Sequence, residues 1–138
     1  MLDSVENQIK EAIIDKGAIH MTLLDPQKIG SKKSVEIASE AKKGGTFALM
    51  VGGSTLISKY DLDVGIKKIK AKVDIPIILF PNDITGISKY ADAIWFMSLL
   101  NSRLTYYVID AQAMAAYTVK SYGLEAIPLG YIIIGPGG

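Results

Sequence analysis

Apolar residues recur along this chain with two alternating periods. Leu2, Val5, Ile9 and Ile13 fall at helical spacing, with Asn7, Lys10 and Glu11 between them, which predicts an amphipathic helix stopped near Lys16-Gly17. Residues 18–24 then form a short apolar run of strand character that ends at Asp25-Pro26. The plan repeats. Ser31 is placed to cap a helix over residues 32–43, with Val35, Ala38 and Ala41 inward and Gly44-Gly45 as its stop. Residues 47–51 read as a second strand running into Gly52-Gly53-Ser54-Thr55. Leu62, Ile66, Ile69 and Val73 mark the inner face of a helix over residues 60–72. A third strand spans residues 75–80, with Pro76 at its start, where a missing N–H is tolerated. It ends in Pro81-Asn82-Asp83, and a brief helical or turn segment covers residues 84–90. Residues 93–97 are the fourth strand, leading into Ser98-Leu99-Leu100-Asn101-Ser102. Residues 104–122 are helical again, with Tyr107, Ala111, Met114 and Thr118 on one face and Gly123 closing the helix. The fifth strand spans residues 128–134, and Ile132-Ile133-Ile134 reads as buried on both faces.

Strands and helices alternating at this spacing imply right-handed crossovers and a parallel sheet. Two architectures meet the pattern. One is an open doubly wound sheet, complete at five strands; the other is a (β/α)8 barrel, which takes about 250 residues. The length of 138 residues favours the open sheet. Against it, the last strand and Gly135-Pro136-Gly137-Gly138 have no covering helix behind them, which reads as an interruption.

Composition narrows the function classes. A net charge of +1 gives no electrostatic case for nucleic acid or an anionic membrane surface. The absence of cysteine excludes disulfides and thiolate metal sites, and fits a reducing cytoplasm. Asp3, Glu6 and Glu11 stand where a signal peptide carries a basic start and an apolar run. No apolar run reaches the roughly 18 residues of a membrane span. The mean hydropathy of +0.28 is high for a soluble domain, and strands apolar on both faces account for it.

In parallel α/β folds ligands gather at the carboxyl ends of the strands. There the pattern brings Asp25, the turn Gly52-Gly53-Ser54-Thr55, Pro81-Asn82-Asp83, residues 98–102 and the terminal glycines. One acid with hydroxyls, amides and glycine turns suits a phosphate ligand with Mg²⁺, because a hard cation takes oxygen donors and lets phosphate complete its shell. Each element also has a purely structural reading. Asp25-Pro26 is equally a helix start, and the glycine turn is neither a Walker loop nor a dinucleotide fingerprint. His20, the single histidine, lacks partners for a triad or a metal cluster and reads as a structural hydrogen-bonding residue. Tyr106, Tyr107, Tyr117 and Tyr122 read as packing a helix on the sheet, or as lining an apolar groove.

Several stretches together carry a resemblance. They are His20-Met-Thr-Leu-Leu-Asp25-Pro-Gln-Lys28, Val51-Gly-Gly-Ser54-Thr55, Ile78-Leu-Phe-Pro81, Ala91-Asp-Ala-Ile-Trp-Phe-Met-Ser-Leu-Leu-Asn-Ser102, Ala111-Gln112, Ile127-Pro-Leu-Gly-Tyr-Ile-Ile-Ile134 and Pro136-Gly-Gly138. In this order and spacing the chain from His20 to Gly138 resembles the geranylgeranylglyceryl phosphate synthase family. The resemblance implies the first five βα units of a (β/α)8 barrel, a single incomplete domain over residues 1–138. It implies a cytoplasmic, Mg²⁺-dependent prenyltransferase of archaeal ether-lipid synthesis, joining sn-glycerol 1-phosphate to geranylgeranyl diphosphate. It implies Asp25 and Ser54 as Mg²⁺ ligands, Gly52, Gly53, Ser54 and Thr55 around the diphosphate, and Tyr106, Tyr107 and Tyr131 along the prenyl groove.

The chain departs from the family pattern at Gln27, Asn82, Leu104-Thr105 and Asp110, which bears on groove details. It also lacks the family's later Tyr-x-Glu-x-Gly-Ser-Gly and Gly-Gly turns, so the glycerol phosphate side is absent from this chain. These expectations follow: a fragment inactive alone, completed by a homo-oligomer or by a complementary C-terminal half. The alternative is a non-catalytic module that binds Mg²⁺-diphosphate or assembles a barrel from halves. A sugar-phosphate isomerase is a third reading, weakened by the lack of a general base beyond Asp25 and Asp83.

Overall fold

The computed structural model describes residues 4–52 and 58–135. Five strands form one parallel sheet in the order β1 (Met21–Leu24), β2 (Ala48–Gly52), β3 (Ile77–Phe80), β4 (Ala93–Leu99), β5 (Glu125–Tyr131). Each strand pairs in parallel with the next along the chain. Strand order therefore never reverses, and the open doubly wound sheet, which needs a switch point, is not formed. Progressive order is that of the (β/α)8 class.

Among the described residues four α-helices accompany the sheet: α1 (Val5–Lys16), α2 (Pro26–Lys43), α3 (Lys59–Lys70) and α4 (Ala111–Ser121). The main core lies between the helices and one sheet face. Leu24, Leu49, Val51, Ile77, Leu79 and Ile94 meet Ala38, Leu62, Ile66, Ile69, Ala115 and Val119 there. Fully burying each large aliphatic chain contributes about 1.5–3 kcal/mol. The opposite face is concave. At its floor Val5 of α1 packs with Ala48, Ile78, Ala93 and Ile127. This contact is fixed at long range, because the Glu125 carboxylate accepts the N–H groups of Val5 at 2.6 Å and Glu6 at 2.9 Å. A carboxylate at the positive end of a helix satisfies two otherwise orphan donors.

Several boundaries differ from the sequence expectation. The second helix starts at Pro26, with Asp25 rather than Ser31 as its N-cap, and Gly30 at φ 74° separates its first turn from the rest. Residues 84–90 take the turn alternative of the expected helical or turn segment. The fifth strand begins at Glu125 and ends at Tyr131, so Ile132-Ile133-Ile134 lies beyond it and is exposed, Ile134 at 92%. Pro128 sits inside β5, where a strand with one neighbour tolerates a residue that cannot donate. On α4 the inward positions are Ala115 and Val119, one helical turn apart, while Met114 is exposed and Tyr117 is 82% exposed. Tyr117 therefore faces solvent rather than the sheet; of the expected face Tyr107, Ala111 and Thr118 are half-buried, and Ala115 takes the inward place expected of Met114. Among the described residues no helix is long and apolar enough to cross a membrane.

Candidate functional site at the carboxyl ends of the strands

The strand ends open into a cleft of about 670 Å³, walled by Leu23, Asp25, Lys28, Phe80, Pro81, Asn82, Met97, Leu99, Tyr107 and Tyr131 among others. Asp25 occupies the mouth of β1 because β1 ends there and α2 starts. Its Oδ1 accepts the Lys28 N–H at 3.3 Å, and Lys28 Nζ lies 3.6 Å from Oδ2. The helix-start reading of Asp25 thus describes its local bonding. The same position also puts a carboxylate and an ammonium side by side at the rim of the cleft.

The opposite wall is aromatic. Phe80 at the end of β3 and Tyr131 at the end of β5 meet edge to face, with ring centroids 6.3 Å apart. Tyr106 and Tyr107 form a second edge-to-face pair at 5.0 Å. Burial, with Tyr107 nearby, raises the Tyr131 phenol above its ordinary pKa, so its hydroxyl remains a neutral donor. Next to the cleft a smaller cavity of about 60 Å³ shares Pro81, Asn82, Met97, Tyr107 and Tyr131 with it, and adds Trp95, Ala111 and Gln112. Tyr107 and Tyr131 therefore stand together at one apolar wall; Tyr106 joins it only through its ring contact with Tyr107.

Other sequence candidates are placed elsewhere or engaged otherwise. Gly52 ends β2 with φ at 155°, and a Cβ there would meet the Phe80 carbonyl oxygen at 1.9 Å. Gly53, Ser54 and Thr55 lie outside the described residues. Ser98 turns away from the ligand face and donates to Val108 O. Asn101 ties the chain after β5 to the end of β4, donating to Ile133 O at 2.8 Å and accepting its N–H at 3.2 Å. Ser102 accepts the Leu104 N–H at 3.0 Å. Asp83 accepts both the N–H and the hydroxyl of Thr85. His20 Nδ1 lies 2.9 Å from Thr46 Oγ1, which in turn lies 2.8 Å from Thr22 Oγ1, the structural role expected of it. Sequence reasoning missed Lys28, Phe80 and Trp95 as site residues. Their signal was position at strand ends and strand faces, legible only once register was known.

Among the described residues no group of three or more His, Cys, Asp or Glu could hold a metal. An all-protein metal cage is therefore not formed by them. A single carboxylate beside a cationic side chain fits Mg²⁺ held partly by a phosphorylated ligand, since Mg²⁺ commonly takes one or two carboxylates and completes its octahedron with phosphate oxygens and water.

A progressive parallel sheet with a charged rim and an apolar cleft at its carboxyl edge defines a protein of the (β/α)8 class. The PcrB family model matches residues 8–138, and the chain belongs to that family. Geranylgeranylglyceryl phosphate synthase from Thermofilum pendens is 48% identical over 138 residues, covering 100% of this chain and 54% of the relative. The synthase from Methanothermobacter thermautotrophicus is 50% identical over 126 residues, 91% of this chain and 51% of that one. The crystal structure of (S)-3-O-geranylgeranylglyceryl phosphate synthase from Thermoplasma acidophilum, in complex with substrate sn-glycerol-1-phosphate, superimposes with a TM-score of 0.93. It is 40% identical to this chain, of which it covers 99%, while the match takes in 55% of the Thermoplasma chain. The chain spans about half the length of the relatives it matches.

Proposed function

We propose that the chain supplies the prenyl-diphosphate side of a Mg²⁺-dependent prenyltransferase that joins sn-glycerol 1-phosphate to geranylgeranyl diphosphate in the cytoplasm. The observation that carries this reading is the continuity of one cleft from a charged rim, Asp25 and Lys28, to an apolar wall of Phe80, Tyr107 and Tyr131. A diphosphate head and a hydrocarbon tail on one molecule match that sequence of surfaces. The names of the relatives supply the substrate pair. In the reaction a glycerol hydroxyl oxygen bonds to C1 of the prenyl chain, the C1–diphosphate bond breaks with its electrons leaving on the diphosphate, and the hydroxyl proton passes to solvent or a base.

Within this reading Asp25, together with Ser54, would hold Mg²⁺, which would supply charge neutralisation for the leaving diphosphate. Lys28 adds charge beside it. Gly52, Gly53, Ser54 and Thr55 are assigned to the diphosphate. The aromatic wall excludes water from the tail and fixes C1 at the rim, so that the chain's part is orientation and desolvation. Because the match takes in about half of each relative, the glycerol phosphate contacts are assigned to βα units complementary to these five, and turnover requires them.

Calorimetric titration of the 138-residue chain with geranylgeranyl diphosphate, with and without Mg²⁺, tests the binding reading. Expected is saturable, Mg²⁺-strengthened binding without product from added glycerol 1-phosphate, and ether product once a complementary C-terminal half is supplied. Absence of any Mg²⁺-dependent binding would overturn the proposal.

A further inference from the structure

The helix after β4 does not begin as an α-helix. Tyr106–Asp110 is a π turn, and the Ala111 N–H reaches back five residues to Tyr106 O. Such turns are rare, give up regular hydrogen bonding, and are frequent at functional sites. Here side chains of the neighbouring elements take up the displaced carbonyls. Ser98 Oγ on β4 donates to Val108 O. Gln112 Nε2 donates to Met97 O on β4, and lies 3.2 Å from Val108 O and 3.5 Å from Tyr107 O. Three carbonyls around one atom identify it as the amide nitrogen, since an oxygen there could only be repelled. The amide oxygen therefore points the other way. It is buried with no hydrogen-bond partner among the described residues, as is Trp95 Nε1, and both residues line the cavity of about 60 Å³.

The π turn decides where Tyr107 goes. One extra residue in a helical turn rotates everything before it by about 100° relative to an uninterrupted α-helix. In the π register Tyr107 stands on the wall shared by the cavity and the cleft. In an α register it would swing off that wall.

We propose that Gln112, with Ser98, is a positioning residue: it clamps the π turn to β4 and so holds Tyr107 as the wall of the apolar groove. The clamp acts on the hydrocarbon tail of a ligand and leaves the phosphate rim alone. The groove role rests on the prenyl-diphosphate reading above; the clamp itself does not.

Two measurements on the full chain test this. Gln112→Leu keeps volume and removes the donor, and Ser98→Ala is the milder second variant. In ligand-free protein, amide hydrogen exchange over residues 106–112 is expected to rise about tenfold in Gln112→Leu, the equivalent of one lost hydrogen bond, with β2 and β3 unchanged. Then geranylgeranyl diphosphate and inorganic diphosphate are titrated in Mg²⁺, reading the emission of Trp95, the single tryptophan. Affinity for the prenyl ligand is expected to fall about tenfold while that for inorganic diphosphate holds, and Ser98→Ala to shift both readouts the same way by less. Unchanged exchange in both variants overturns the clamp, and equal losses for the two ligands overturn the groove role. A wild-type chain that binds inorganic diphosphate but no prenyl diphosphate overturns the substrate reading and the groove role with it, while the exchange result still decides the clamp.

Discussion

A methyl group at residue 52 would sit 1.9 Å from the carbonyl oxygen of Phe80, on backbone that cannot withdraw without breaking the β2–β3 ladder. Gly52→Ala is therefore expected to lower stability by at least about 2 kcal/mol, measured by urea unfolding, whatever it does to phosphate binding. Asp25 separates structure from chemistry more cleanly. As the N-cap of α2 it is replaceable by asparagine at almost no cost in stability, whereas alanine costs about 1 kcal/mol. Asp25→Asn is expected to keep the melting temperature and lose the Mg²⁺-dependent part of diphosphate binding; retention of Mg²⁺ dependence would refute the ligand assignment. Tyr131 adds a spectroscopic marker. Its raised pKa comes chiefly from burial, which disfavours phenolate in the folded state. The folded protein then holds the proton where the unfolded chain has lost it, so stability is full below the unfolded value near 10 and declines as pH rises from there towards the folded value. Alkaline titration of tyrosinate absorbance is expected to show a late-ionising component that Tyr131→Phe removes.

At the scale of elements, α1 is held by its N-terminal half, where Ile9 packs on the same cluster as Val5. Val5 is buried against the floor of the concave face, Glu125 receives two of its N–H groups, and Ile14 is 84% exposed. Val5→Asp is expected to cost about 3 kcal/mol and Ile14→Asp almost nothing, with Glu125→Gln between them at about 1 kcal/mol, all by chemical denaturation. The helix itself was legible from Leu2, Val5, Ile9 and Ile13 at helical spacing; its docking was not, because the tie to Glu125 spans 120 residues. The same distinction runs through the other elements. The positions of β1 to β4 followed from apolar runs, β5 lies three residues before its run, and α3 followed from Leu62, Ile66 and Ile69. The helix expected over residues 32–43 is the part of α2 that follows the break at Gly30; the first turn from Pro26, capped by Asp25, was not expected, because the glycine between Asp25 and Ser31 permits both a first turn and a break. The π turn has no periodic signature, since its hydrogen bonds depend on Ser98 and Gln112 arriving from outside the segment. At the cleft, Asp25 was legible as a strand-end residue and Tyr107 and Tyr131 stand at one apolar wall, whereas the backbone ties of Ser98 and Asn101 were not legible, because partners 10 and 32 residues away decide them.

The whole molecule is a sheet covered on one side. Helices bury the convex face, but among the described residues the concave face is closed at its floor by Val5 and Ile9 of α1, and above them Leu23 is 49% exposed with Met50 and Trp95 half-buried beside it. Among the described residues β1 pairs only with β2 and β5 only with β4, so both outer strands carry open backbone groups. Strand edges of this kind recruit further strands, and an apolar face of this kind recruits cover. In a closed (β/α)8 arrangement both needs are met together, because completing the circle pairs the outer strands and packs the interior in layers. The isolated chain is therefore expected to self-associate at micromolar concentration, and a charge on the inner wall is expected to oppose this without touching the convex core. Leu23→Lys should shift light scattering coupled to size exclusion towards monomer, with the melting temperature held within a few degrees because residue 23 is already half in water. If Leu23→Lys leaves the mass distribution of a self-associating wild type unchanged, association runs through the strand edges and not the concave face, and Pro substitutions in β1 become the variants that move it.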